Sequence, residues 1–192
     1  MTYMKALIPI VLVLAFAACA KPPQTDIDAA RAAVAAAAKN ADVVAYAPDT
    51  LKSAQDKLAQ MGTKLAAKHY DKVKSLALDA RAMAGTAVTD AVRNKEKAQA
   101  DAVALIAALK KALPVVGRKL AAAKRVGGIK LNFSAVSAQL GAAKTALGEA
   151  DKDLSGGNFA AALQKAIDAQ GQLSDGEKAI ADAIQAAGNK KN

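Results

Sequence analysis

Apolar residues at Leu51, Ala54, Leu58, Met61 and Leu65 recur at intervals of three, four, three and four. That spacing lines one side of an α-helix and marks a seam against a neighbouring helix. Eighty-nine positions later the order returns as Leu140, Ala143, Leu147, Ala150 and Leu154. The alignment continues without a gap, placing Tyr70 on Phe159, Ala77 on Ala166, Leu78 on Ile167 and Ala80 on Ala169. The three leucine pairs and the aromatic pair carry the match, because alanine matches are cheap in this chain. Valine, isoleucine and threonine nowhere alternate with polar residues over a long run, so no sheet is expected. The pattern predicts an all-α protein: an antiparallel bundle of two duplicated helical hairpins joined by a long helix.

Turn and capping residues divide the pattern. A first helix is expected over Asp26–Ala45, with Thr25 or Asp26 as its N-cap. Pro48 suits the first position of the next helix, and Asp49 complements its positive end. Each hairpin then reads as helix, tight turn, aromatic residue, helix. In the second copy the turn is Ser155-Gly156-Gly157-Asn158; in the first it is Lys68-His69-Tyr70-Asp71, which has no glycine. Tyr70 and Phe159 are read as wedges inside the hairpins, and Tyr46 and Phe133 as closing the other ends. Tyr70–Leu113 reads as one long helix of about 65 Å. Pro114 is expected to kink or end it. Val115–Val126 resumes as a short helix, and Gly127-Gly128 breaks the chain again. This gives an N-terminal hairpin region over 26–113, and a basic connector with a C-terminal hairpin over 114–192.

The first residues read differently. Lys5 precedes an apolar run, Ala6–Ala18, interrupted only by Pro9 and too short to span a bilayer comfortably. Phe16-Ala17-Ala18 then leads to Cys19, the one cysteine. A basic start, an apolar run and small residues before a cut site describe a secretory signal over 1–18. Ala17-Ala18-Cys19 resembles the lipobox of bacterial lipoproteins, with Phe16 where leucine is usual. The resemblance implies acylation of the Cys19 thiol, cleavage before it, and a membrane partner held through that lipid anchor. It also implies the periplasmic face of the outer membrane, since Ala20 stands where an aspartate would signal inner-membrane retention. The alternative is ordinary cleavage after Ala17 or Ala20, leaving a soluble periplasmic protein. Residues 19–25, with Lys21-Pro22-Pro23, read as a short stiff tether.

Two further resemblances concern the helices. Gly157-Asn158-Phe159, followed by Ala161, Ala162 and Ala166, is similar to the second helix of a tetratricopeptide unit. Residues from about Ala29 to Val88, with Tyr46-Ala47-Pro48-Asp49-Thr50-Leu51 and Tyr70-Asp71-Lys72, resemble an uncharacterised alanine-rich helical domain of bacterial envelope lipoproteins. Members of that family often precede an OmpA-like peptidoglycan-binding domain, and the family has no assigned catalytic residues.

Composition changes this picture in one respect. The chain is 53% hydrophobic, but 52 of its 192 residues are alanine. Alanine buries little area per residue. The core must gain from close helix approach rather than large side chains. Charge singles out one segment. The formal net charge is +10. Between Ala102 and Gly148 the only charged residues are basic: Lys110, Lys111, Arg118, Lys119, Lys124, Arg125, Lys130 and Lys144. Acidic residues concentrate instead from Glu149 to Asp182. Lys110, Lys111, Arg118, Lys119, Lys124, Arg125 and Lys130 are therefore the candidate contacts with an anionic surface, lipid headgroup or cell-wall carboxylate. The competing reading is a solvated face, paired in part with the acidic C-terminal hairpin. Nucleic acid is disfavoured by the export signal and by the lack of aromatic residues among the cations.

Catalysis is not expected. His69 is the only histidine, at a turn with no local partner for proton transfer. The carboxylates Asp71, Asp79, Asp151 and Asp153 are spread among lysines on helix surfaces. No histidine cluster or free thiolate suits a metal, and Val126-Gly127-Gly128-Ile129 is not a phosphate-binding loop. The expected role is a structural or scaffolding module with an envelope protein partner, or else a lipid- or cell-wall-binding module. No cofactor is implied.

Overall fold

The computed structural model describes residues 21–189, so the segment expected to be a leader and Cys19 lie outside the described residues. Those residues form six helices: α1 (Gln24–Lys39), α2 (Ala41–Tyr46), α3 (Pro48–Ala66), α4 (Tyr70–Arg125), α5 (Phe133–Ser155) and α6 (Phe159–Gly188). Among the described residues there is no strand.

The long helix organises everything else. α4 has 56 residues. At a rise of about 1.5 Å per residue its length is about 84 Å. Its buried residues step by four and three from Val73 through Ala77, Ala80, Ala84 and Ala87 to Ala91, and then by four, three, seven and seven from Ala102 through Ile106, Leu109 and Val116 to Ala123. The eleven-residue interval from Ala91 to Ala102 is close to three helical turns, so both runs lie on the same side of the helix. The first run joins a core made with α1, α2 and α3, the second a core made with α5 and α6. The handover between cores thus falls inside α4.

Paired contacts give the direction of each neighbour. Ala37 and Asn40 share a groove with Ala84 and Val88, and Asp42 of α2 pairs with Lys95, so α1 and α2 run parallel to α4. α3 runs back: Thr50 bonds Asp90 while Lys57 reaches Asp79. In the second half Lys110 pairs with Asp151 of α5, and Lys119 with Glu177 of α6. Ile184, farther along α6, sits beside Ala123, so α6 runs parallel to α4. Each half is an up–down–up bundle of three helices, α1 and α2 counting together as one, with α4 as the last member of one and the first of the other.

The duplication extends into backbone geometry. In the first turn the amides of Ala67, Lys68 and His69 donate to the carbonyls of Thr63, Leu65 and Lys64 at 3.2, 3.0 and 3.0 Å. Eighty-nine positions on, Gly156, Gly157 and Asn158 donate to Lys152, Leu154 and Asp153 at 2.9, 3.2 and 2.8 Å. Both helix ends are closed by a left-handed residue, Lys68 at φ 56° and Gly157 at φ 79°. Such a residue lets the last carbonyls find amide partners as the chain leaves the helix. Ala54 and Ala143, Met61 and Ala150, Val73 and Ala162, Ala77 and Ala166, and Ala80 and Ala169 are buried in both copies. The same offset carries buried Ile27 onto Val116 and Val34 onto Ala123, so the repeat is a three-helix unit, larger than the hairpin.

Four sequence expectations are corrected. Pro114 does not end α4; the helix runs through it to Arg125. Pro114 is exposed on the side away from both cores. There the carbonyl left without its amide partner faces solvent. The expected Asp26–Ala45 helix is two helices divided at Asn40. The Asn40 side-chain oxygen accepts from the amides of Asp42 and Val43 at 2.9 and 3.4 Å and caps α2. α1 begins at Gln24, with Pro23 rather than Thr25 or Asp26 at its N-cap and no side-chain cap. Tyr70 and Phe159 are half-buried outside the two cores; the aromatics packed on the cores are Tyr46 and Phe133.

Candidate functional site

The seven candidate cations all belong to the second half of the molecule. Six project from the Lys110–Arg125 stretch of α4 and one, Lys130, from the loop after it; all seven are exposed. The structure separates them into two groups. Lys110 pairs with Asp151 at 2.7 Å and Lys119 with Glu177, so these two pin α5 and α6 to α4. Lys111, Arg118, Lys124, Arg125 and Lys130 form no ion pair among the described residues. Lys111, Arg118 and Arg125 are spaced by seven, a stripe of about 21 Å along the solvent side of α4. Lys124, Arg125 and Lys130 gather at the end of the helix.

This end carries a feature that the sequence did not announce. Where α4 stops at Arg125, the Gly127-Gly128 turn swings the chain back, with Gly128 at φ 87°. The last turns of α4 and α6 and this loop enclose a cleft of about 560 Å³, lined chiefly by Ala122, Ala123, Val126, Ile129, Ile184 and Ala187. Val126 and Ile184 remain 53% and 47% exposed at its walls. Among the described residues the one charged side chain in the lining is Lys119, which Glu177 already engages. Finding it from sequence would have required knowing that α6 runs parallel to α4 and ends level with it.

The opposite end is built differently. Because α1 runs parallel to α4, Gln24 starts beside the start of α4, near the Lys68-His69 turn. His69 occupies the N-cap position of α4, exposed, without a side-chain capping bond. It shares a shallow hollow with Lys68, Tyr70, Asp71 and Lys72, and its side chain forms no hydrogen bond among the described residues. Asp79 pairs with Lys57, and Asp153 with Lys165, so these carboxylates serve helix contacts. Lys165 lies 2.8 Å from Asp153 and 3.3 Å from Glu149. Hydrogen bonds to Asp153 first, then Glu149, hold its ammonium above the ordinary lysine range. Among the described residues no group of three histidine, cysteine or acidic side chains is placed to hold a metal ion. No described helix is long and apolar enough to cross a membrane.

The two halves meet at a waist. The Asn94 side chain donates to the Tyr46 carbonyl at 2.7 Å, Lys95 pairs with Asp42 at 2.8 Å, and the Tyr46 hydroxyl accepts from the Ala160 amide of α6 at 3.4 Å. The Asp42 hydrogen bond is the largest cause holding the Lys95 ammonium above its ordinary range.

Comparison with known protein families finds a match over part of the chain. Residues 25–103 match a family described as Domain of unknown function (DUF4398). That span covers α1, α2, α3 and the first part of α4, which is the first three-helix unit and the waist. The basic segment and the cleft lie outside it. No curated protein and no solved structure matches the chain.

Proposed function

We propose that this chain is a non-catalytic spacer of the bacterial envelope, anchored by an acylated Cys19 on the periplasmic face of the outer membrane. It presents its second three-helix unit to a protein or cell-wall partner at a distance from that membrane. One observation supports the reading above others: α4 is continuous through both bundles. The α1 start, where the tether would enter, and the Lys124–Lys130 segment therefore lie at opposite ends of a rod of about 80 Å. A helix shared by two cores resists bending at the joint, which a flexible linker would not. Two or more acyl chains, at about 0.8 kcal/mol per buried methylene, would moor the near end stably.

The test has two parts. Intact mass of the protein from membranes should show cleavage before Cys19 and the added acyl mass, and Cys19→Ser should release the chain. Photo-crosslinkers at positions 68 and 130 should then report different surroundings, with lipid adducts at 68 only. Equal lipid crosslinking at both ends would mean that the rod lies flat, and would overturn the spacer reading.

The five cations that form no ion pair among the described residues favour a second reading, in which the basic segment rests on anionic headgroups or cell-wall carboxylates. Salt-sensitive retention on sacculi, lost on neutralising Arg118, Lys124 and Arg125 together, would select it.

A further inference from the structure

We infer that the α4–α6 face of the second unit is a self-association surface, on which a second copy of this chain docks about a two-fold axis parallel to the rod. The face has a groove along its middle and opposite charges along its two edges. On α4 the groove residues are Ala108, Ala112, Val115, Lys119, Ala122 and Val126, stepping by four and three. That is the spacing of a seam between helices. One edge of this seam is the buried row Leu109, Val116 and Ala123, and the other is the exposed row Lys111, Arg118 and Arg125. On α6 the groove residues Glu177, Ala181 and Gln185 stand between buried Leu173 and Ile180 and the exposed row Asp168, Asp175 and Asp182. The acidic row is spaced by seven like the basic one, so each follows one side of its helix. Neither row forms an ion pair among the described residues; Asp168 accepts a hydrogen bond from Gln164 of its own helix at 2.9 Å. The fold itself does not need these charges. Eighty-nine positions earlier Arg118 and Arg125 fall on Ala29 and Ala36, and Asp175 and Asp182 on Thr86 and Arg93.

Register and symmetry select a second copy as the occupant. The Lys119–Glu177 pair sets the relative level of the two parallel helices. Counted from it, Lys111, Arg118 and Arg125 stand within one residue, about 1.5 Å, of the levels of Asp168, Asp175 and Asp182. A two-fold axis parallel to the helices keeps those levels and sets each α4 opposite α6 of the other copy. Basic row then meets acidic row twice, and exposed Val115, Val126 and Ile184 are covered between them. A two-fold axis across the helices would set α4 on α4, like charge on like, so the charges select the parallel pair. Parallel pairing also brings both amino ends to the same end of the dimer, although the dimer does not rest on the spacer reading. The groove section of α4 is about 27 Å long and the two helices about 20 Å wide, on the order of 500 Å² per copy. A standard interface buries about 800 Å² per partner. The dimer is therefore weak in free solution and strengthened when both copies share a membrane.

The experiment uses the full chain carrying Cys19→Ser, in sedimentation equilibrium at low salt up to millimolar concentration. A monomer–dimer equilibrium that weakens with added salt is expected. Arg118→Glu with Arg125→Glu, and separately Asp175→Lys with Asp182→Lys, should each weaken it roughly tenfold or more. An equimolar mixture of the two variants should restore association, because each row again faces its opposite. All four positions are exposed, and the restoration itself shows that both variants are folded. Spin labels at Ala104→Cys and, in a separate chain, at Lys130→Cys should both report short distances between copies, which only the parallel pair allows. A monomer at every concentration, a mixture that fails to associate, or a short distance at only one of the two sites would overturn the inference. Chains that stay monomeric but are retained on sacculi or anionic vesicles through Arg118 and Arg125 would overturn it too, and would give the basic row to the second reading. None of these outcomes touches the spacer reading, which the crosslinks at 68 and 130 decide.

Discussion

Lys68 and Gly157 stand at the same left-handed position of two turns with matching hydrogen bonds, one with a side chain and one without. An L-residue there brings its Cβ toward the following carbonyl, at a cost of about 1 kcal/mol that glycine avoids. Lys68→Gly should therefore stabilise the first unit by about 0.5–1 kcal/mol, and Gly157→Ala should destabilise the second by about 1 kcal/mol. Urea unfolding of the two variants measures both. Equal signs would mean that the turns are not equivalent.

Pro114 gives a second expectation. It sits inside α4 without an amide to donate toward Lys110, facing solvent. Proline inside a helix costs about 3 kcal/mol relative to alanine. Pro114→Ala should raise stability by up to about 3 kcal/mol and raise the melting temperature of the second unit, by differential scanning calorimetry. No change would place a compensating contact at this position.

The cores are poor in large side chains, so the few that are wholly enclosed should matter most. Met61 is 1% exposed and Ile180 2%. Their counterparts across the repeat are Ala150 and Ala91, so the two units put bulk at different levels. Met61→Ala and Ile180→Ala should each cost about 2–5 kcal/mol. Chemical denaturation of each variant checks this.

The Lys165 cluster sets an alkaline limit. Its ammonium is held above the ordinary value of 10.5 by Asp153 and Glu149. A group whose pKa is higher when folded contributes fully below the unfolded value and loses that contribution as pH rises through the folded one. Urea midpoints should therefore show the wild type ahead of Lys165→Met at about pH 9, with the advantage lost only above 10.5. A difference that is unchanged or grows with pH would contradict the assignment.

The seam residues from Leu51 to Leu65 and from Leu140 to Leu154 were legible because period and identity agree, and the offset of the repeat transferred to the backbone without a slip. Asn40 was missed although its signal was present: an asparagine two residues before Asp42 is a good cap, but the alanine run around it reads as uninterrupted helix. Pro114 does not end the helix, one of its two expected effects, because it stands on the exposed side, and a local rule cannot tell which side of a helix faces water. Among the candidate cations, the sequence could not separate Lys110 and Lys119 from the other five. That distinction depends on Asp151 and Glu177, which approach from other helices. The cleft was invisible for the same reason.

Because α4 serves both bundles without interruption, the ends of the molecule cannot turn independently about the long axis. Torque or tension applied at the amino end is delivered to the Lys124–Lys130 end through one hydrogen-bonded backbone, with no swivel to dissipate it. A pull that separates the two cores along α4 must unwind the ten residues between Ala91 and Ala102, the boundary that both cores share.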